Sequence, residues 1–163
     1  MNVVGIDPSL TSTGVAHADG QFTIKWPGKG VDRLDDVYRR VISGAIWPDE
    51  APDLVVIEGY AHGRGHQAHQ MGELGGVIRL AMRHAGVTFL DVAPPSLKKY
   101  ATGKGNAGKE LVLVEAVKRL GYDGSSTDEA DAMWLRQIGL ALYDMPCAEV
   151  PATHRVALKV LGD

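Results

Sequence analysis

Asn2-Val3-Val4-Gly5-Ile6-Asp7-Pro8-Ser9 is the stretch whose reading decides the fold. A short apolar run that ends in a carboxylate and breaks at a proline reads as a strand delivering Asp7 to the edge of a sheet. Alternation puts Val3, Gly5 and Asp7 on one face and Val4 and Ile6 on the other, so the acid lies in line with core positions. A carboxylate there is unfavourable without a positive partner. Other acids that converge on Asp7, and basic groups near them, are therefore the features to look for.

Leu54-Val55-Val56-Ile57-Glu58 repeats the pattern: an uninterrupted apolar run, of the kind buried on both faces of a sheet, again ends in an acid. Between the two runs, Ser9 to Gly14 is small and polar, and Val15 to Ala18 resumes an apolar pattern. Asp19-Gly20 reads as a hairpin turn before a strand over Gln21 to Trp26, which makes the first three strands antiparallel. From Val31 to Trp47, Leu34, Val37, Tyr38, Val41, Ile42 and Ile46 recur at helical spacing, and Pro48 closes the helix.

After Glu58, a loop rich in glycine and histidine from Gly59 to Gly65 leads to a helix over about Gln70 to His84, and Val87 to Val92 forms a further strand. Strands separated by helices imply parallel pairing with right-handed crossovers. Beyond Pro94-Pro95, short helices are expected over Ser96 to Ala101 and Lys109 to Leu120, with a loop from Gly103 to Gly108 between them. A last helix from Thr127 to Tyr143 opens on Ser126-Thr127-Asp128-Glu129, which has capping-box spacing with Ser126 as the cap.

The 163 residues, 45% of them apolar, fit one domain with a real core. This domain is expected to span residues 1–145, with 146–163 as a short surface tail. No apolar run approaches the length of a membrane span, and the first residues enter a strand without a basic leader, so the expected location is the cytoplasm. One cysteine, Cys147, excludes an internal disulfide framework and is expected to be a small, semi-buried side chain. A net charge of −3 gives no general support for nucleic-acid binding, so any such role must come from where the charges lie.

If the strands ending in Asp7 and Glu58 are parallel neighbours, their carboxylates emerge at the same end of the sheet, where sites form in such folds. Asp128 and Asp131, three residues apart, share a helix face with Leu135, Ile138 and Leu142, which makes it the buried stripe. Glu129 and Arg136 lie off that stripe, on the expected solvated face. Singly, Asp128 could serve the helix dipole, Asp7 a turn, and Glu58 an arginine partner. Jointly, the four acids would repel one another unless cations bound between them. Hard oxygen donors without cysteine suit Mg²⁺, with Mn²⁺ as a substitute.

Lys98, Lys99, Lys104 and Lys109 flank a glycine-rich loop and are candidates for phosphate contacts, Lys99 and Lys109 first among them; Lys118 and Arg119 read as a solvated helix face. Tyr60, just past Glu58, could stack on an unpaired base or pack at the strand end. His62, His66 and His69 would need a further ligand to hold zinc, and a polar loop along the substrate is the preferred reading. Gly103-Lys104-Gly105-Asn106-Ala107-Gly108-Lys109 matches most of a nucleotide-binding loop. However, Glu110 follows where Ser or Thr is required and no buried strand precedes it, so no nucleotide cofactor is expected.

Together these residues resemble RuvC-type Holliday-junction resolvases of the RNase H-like superfamily, the shorter phage-borne members in particular. The markers are Val4-Gly5-Ile6-Asp7-Pro8-Ser9 with Thr13-Gly14, the strand ending Ile57-Glu58, the Lys98 to Lys109 region, and Asp128-Glu129-Ala130-Asp131-Ala132. The resemblance implies an α/β fold: a five-stranded mixed sheet, its first three strands antiparallel, flanked by helices. It makes Asp7, Glu58, Asp128 and Asp131 the metal-binding catalytic acids, with Asp7 bridging two ions. It also places the lysines on the DNA backbone.

A homodimer cutting opposed strands of a four-way junction is implied as well, with the helix carrying Glu73 to Val77 at or near the dimer interface. The products would carry 5′-phosphate and 3′-hydroxyl ends. Phage relatives leave the substrate open between four-way junctions and other branched DNA. A non-catalytic module binding branched DNA on the same fold, and an actin-like nucleotide hydrolase, are the alternatives.

Overall fold

The computed structural model describes residues 1–47, 50–59 and 67–161. One sheet in the order β3-β2-β1-β4-β5 is built from β1 (Val3–Asp7), β2 (Ser12–His17), β3 (Gly20–Lys25), β4 (Leu54–Glu58) and β5 (Phe89–Val92). The first three strands are antiparallel, while β4 pairs parallel with β1 and β5 parallel with β4. This is the expected five-stranded mixed sheet.

Alternation along β1 and β4 divides the interior into two cores. Val4, Ile6, Val55 and Ile57 face α1 (Gly30–Ile42) and α2 (Ala68–His84), where they meet Val37, Val41, Leu74 and Ile78. Val3, Leu54 and Val56 face the other way, toward α3 (Pro94–Thr102), α4 (Lys109–Leu120) and α5 (Thr127–Leu142), where Leu97, Tyr100, Val112, Trp134, Leu135 and Ile138 fill the space. Both strands are fully apolar up to their terminal acids because both of their faces are covered.

α5 lies directly on β1 and β2, and two glycines allow it to do so. A Cβ built on Gly5 would stand 2.0 Å from the Ala132 carbonyl oxygen, and one on Gly14 would stand 2.0 Å from that of Asp128. Neither helix carbonyl can yield without moving the backbone.

Several boundaries differ from those expected. α1 stops at Ile42: Gly44 adopts φ 74°, and the chain turns back through a hydrogen bond from Trp47 N to Gly44 O (2.9 Å), which puts Ile46 and Trp47 in the core. The expected helix end at Pro48 lies outside the described residues. β2 starts at Ser12, so Thr13 and Gly14 belong to a buried strand rather than a loop; Thr13 Oγ1 accepts from the Trp26 indole at 2.7 Å. The hairpin turn is Ala18-Asp19, one residue earlier than expected, because His17 pairs with Gly20.

The segment after Pro146, expected as a short surface tail, packs against the domain at two buried residues. α6 (Ala152–Arg155) and a 3-10 turn (Val156–Val160) dock on α3, with Val150 and Ala157 buried and His154 Nδ1 3.0 Å from Tyr100 O. Buried Gln137 anchors its start by accepting from Cys147 N (3.0 Å) and donating to Ala148 O (2.6 Å). Cys147 itself is exposed rather than semi-buried, its thiol donating to Gln137 Oε1 at 2.7 Å beside its backbone N–H. Among the described residues no helix is long and apolar enough to cross a membrane.

The contact between α5 and the sheet generates a prediction. Gly5→Ala should destabilise the protein by about 2 kcal/mol or more, the scale of an overpacked core. Urea unfolding would show this, and a change within roughly 0.5 kcal/mol, the range of an indifferent surface substitution, would contradict it.

Candidate active site

β1 and β4 run parallel, with Gly5 opposite Val56 and Ile6 opposite Ile57. The next step in register brings Asp7 beside Glu58, on the face toward α5, and the two carboxyls share a hydrogen bond. α5 contributes the other two acids. Ser126 caps it, its Oγ accepting from Glu129 N at 3.3 Å, which sets the first turn so that Asp128 and Asp131 face the strand ends. Ser12 Oγ donates to Asp128 Oδ2 at 3.2 Å, tying β2 to the same turn. The first residue of α4 supplies the counter-charge, with Lys109 Nζ 3.6 Å from Asp128 Oδ1.

The electrostatics are those of a crowded anionic pocket. Burial, then the charges of Glu58 and Asp131, push the Asp7 carboxyl well above the usual range, although Lys109 pulls the other way. Glu58 is also raised, chiefly by burial; Asp7, as hydrogen-bond donor, together with Lys109 and Lys98 opposes the shift. Asp131 is pushed up to about 7 by burial and by Glu58, against the pull of Lys109. Lys109 is raised in spite of its own burial, because Asp7, Asp131, Asp128 and Glu58 all favour its charged form.

The four predicted acids therefore meet; Lys109 pairs with Asp128, and the charge of Lys98 acts on Glu58 and Asp131. Lys99 and Lys104 do not: both are exposed, and Lys99 falls about 100° around α3 from Lys98. The Tyr60, His62 and His66 assignments lie outside the described residues, and His69 is exposed on α2.

Two residues assigned to a solvated face are instead engaged. Glu129 accepts from Thr23 Oγ1 (3.2 Å) and Tyr122 OH (2.9 Å), and Arg136 Nε donates to Val3 O (3.1 Å). Helical periodicity missed them because both are held from the flank of α5, by β3, by β1 and by the segment before the helix. Ser12 also escaped notice, since nothing local distinguishes it from the other small residues of its segment.

The donor set suits a hard divalent cation. All four groups are carboxyls; burial first, and then the like charge of their neighbours, which a cation relieves, raises the carboxyls of Asp7, Glu58 and Asp131. Among the described residues no three acidic, histidine or cysteine side chains are closed into a metal cage. Lys109 instead provides the positive charge, 3.6 Å from Asp128 Oδ1.

A five-stranded mixed sheet with acids from β1, β4 and the last long helix gathered at one end has the architecture of the RNase H-like fold. The family model for the crossover junction endodeoxyribonuclease RuvC matches residues 3–136. A curated relative of that name from Chlorobium phaeovibrioides is 30% identical over 160 residues, covering 89% of this chain and 81% of its own. One from Nitratidesulfovibrio vulgaris is 36% identical over 124 residues, covering 69% and 73%. The solved structure of Thermus thermophilus RuvC in complex with a Holliday junction substrate superposes with a TM-score of 0.66 at 24% identity, covering 83% of this chain and 90% of that one. The chain belongs to the RuvC family of crossover junction endodeoxyribonucleases, which are metal-dependent nucleases.

The shifted acids make stability depend on pH. Asp131 titrates at about 7 in the folded chain against an ordinary 3.8, so between those values the folded state holds more protons than the unfolded one. Stability therefore falls as pH rises through that window and levels off above it; Asp7 and Glu58 contribute with the same sign. Each unit of displacement corresponds to about 1.4 kcal/mol. In chelator, Asp131→Asn should be more stable than wild type by roughly 1–3 kcal/mol at about pH 8 and lose that advantage near pH 4. Urea unfolding at both pH values checks this, and an equal difference at the two would contradict it.

Proposed function

We propose that the chain is a Mg²⁺-dependent, structure-selective endodeoxyribonuclease that resolves four-way DNA junctions, with other branched DNA as its wider substrate class. It acts as a homodimer, and Mn²⁺ substitutes for Mg²⁺. The observation that carries this reading is the meeting of Asp7, Glu58, Asp128 and Asp131 beside Lys109 at one end of the sheet. The substrate class is supported by family membership and by the relative solved with a Holliday junction.

Asp7, Glu58, Asp128 and Asp131 would hold the ions. When bound, divalent ions supply activation of water and charge stabilisation at the leaving oxygen of a phosphodiester. The chain's own groups do the rest. Ser12 and the Ser126 cap fix the direction of the Asp128 carboxylate, and burial keeps Asp7 away from bulk water. Lys98 and Lys109, already in the field of the acids, offset phosphate charge where the backbone enters, while exposed Lys99 and Lys104 attract the duplex arms from farther out. Hydrolysis on opposed strands leaves 5′-phosphate and 3′-hydroxyl ends.

A synthetic four-way junction incubated with and without Mg²⁺ tests the proposal. Wild type should cut it only with the metal. Asp7→Asn should lower the rate by at least about a hundredfold, the scale for removing one transition-state electrostatic element, while junction binding is kept or strengthened. Binding without cutting in any divalent metal would convert the protein into a binding module, and wild-type rates for Asp7→Asn would remove Asp7 from the mechanism.

The lysines should separate by position. Lys98→Ala and Lys109→Ala should depress cutting more than binding. Lys104→Ala should weaken binding alone and flatten its salt dependence by about 0.9 in log–log slope for each phosphate the side chain neutralises in wild type. Identical profiles for Lys98→Ala and Lys104→Ala would contradict the placement.

A further inference from the structure

The carboxyl of Glu58 faces α5, but its backbone is gripped from the opposite side of the sheet. Arg79, on α2, donates through Nη2 to Glu58 O at 3.1 Å. The same guanidinium donates through Nη1 to Gly75 O at 2.8 Å and through Nε to Asp91 Oδ1 at 2.8 Å, and Nη2 also reaches Asp91 Oδ1. The Arg79 side chain is only 13% exposed and its bonds to Gly75 O and Glu58 O are partly buried, while Asp91 receives the fork from the solvent side.

Glu58 is the last residue of β4, and the backbone is paired one residue beyond it through Gly59 N to Val92 O at 2.8 Å. Asp91, opposite Ile57 in the β4–β5 register, points to the α2 face and is placed to receive the fork. One planar group thus ties α2, β4 and β5 together at the residue whose side chain enters the acid cluster.

We infer that Arg79 is the positioning residue of Glu58: by fixing the Glu58 carbonyl to Asp91 and to α2, it sets the direction of the Glu58 carboxylate and hence the affinity of the acid cluster for divalent metal. This rests on the nuclease reading above. A lysine cannot replace the fork, since a single ammonium on a flexible stem cannot span three acceptors in fixed directions. Asp91→Asn keeps an oxygen acceptor in place and is the milder change.

The test compares wild type with Arg79→Lys, Arg79→Met and Asp91→Asn in two readouts. One is Mn²⁺ binding followed by calorimetry and by the metal-induced rise in thermal midpoint; the other is the Mg²⁺ concentration giving half-maximal junction cutting. Both arginine variants should need about tenfold more metal in both readouts, the usual scale for losing a group that orients a ligand. Asp91→Asn should show a smaller shift of the same sign, and junction binding in chelator should be unchanged in all three.

A wild-type metal midpoint in Arg79→Lys and Asp91→Asn, or a loss confined to metal-free thermal stability, would overturn the assignment. If wild type itself neither binds Mn²⁺ nor cuts, the nuclease reading fails and the positioning role falls with it. Arg79→Met alone falling short because it does not fold would leave Arg79→Lys and Asp91→Asn to decide the matter.

Discussion

Burial of Asp7 within reach of Glu58 and Asp131 is the constraint on which the rest of the molecule depends. Two bare carboxylates about 4 Å apart at an effective dielectric near 20 repel by about 4 kcal/mol, before any cost of removing them from water. A protein whose whole margin is on the order of 5–15 kcal/mol cannot bear several such pairs unaided. Here the ammonium of Lys109, paired with Asp128, favours the charged forms of Asp7 and Glu58 and lowers the repulsion. The same crowding prepares the pocket for a divalent ion, so the groups that strain the metal-free fold are those the chemistry would use.

Such a cluster needs scaffolding, and the scaffold has two sides. Toward α5, Gly5 and Gly14 bring a helix backbone against the strands, and the Ser126 cap and Ser12 fix its first turn. Glu129 reinforces that turn from the flank through Thr23 and Tyr122. Toward α2, Arg79 secures the end of β4. The acids thus sit on rigid elements braced from both faces, an arrangement in which an ion could bind without reorganising the backbone.

The sheet and the acid quartet were legible in the letters because each rests on a local pattern. Apolar runs that end in Asp7 and Glu58 declare strands and their termini, and Asp128 and Asp131 continue the stripe of Leu135 and Ile138. What stayed hidden depends on neighbours remote in sequence. Glu129 looked solvated because the residues that hold it, Thr23 and Tyr122, come from another strand and from the turn before the helix. Lys99 looked the better candidate than Lys98, wrongly, because the rotation of α3 about its axis is left undetermined by its two leading prolines. The last residues read as a tail because their anchors, Gln137 and Tyr100, lie on α5 and α3. Thr13-Gly14 read as a loop because small polar residues favour turns, whereas their smallness in fact serves the close approach of α5.

A crystal soaked in Mn²⁺ and recorded for anomalous scattering tests the central claim most directly. Density should appear at the carboxyls of Asp7, Glu58, Asp128 and Asp131, with the Lys109 ammonium drawn back from Asp128. Anomalous peaks only elsewhere on the molecule, with Lys109 still paired to Asp128, would contradict the account.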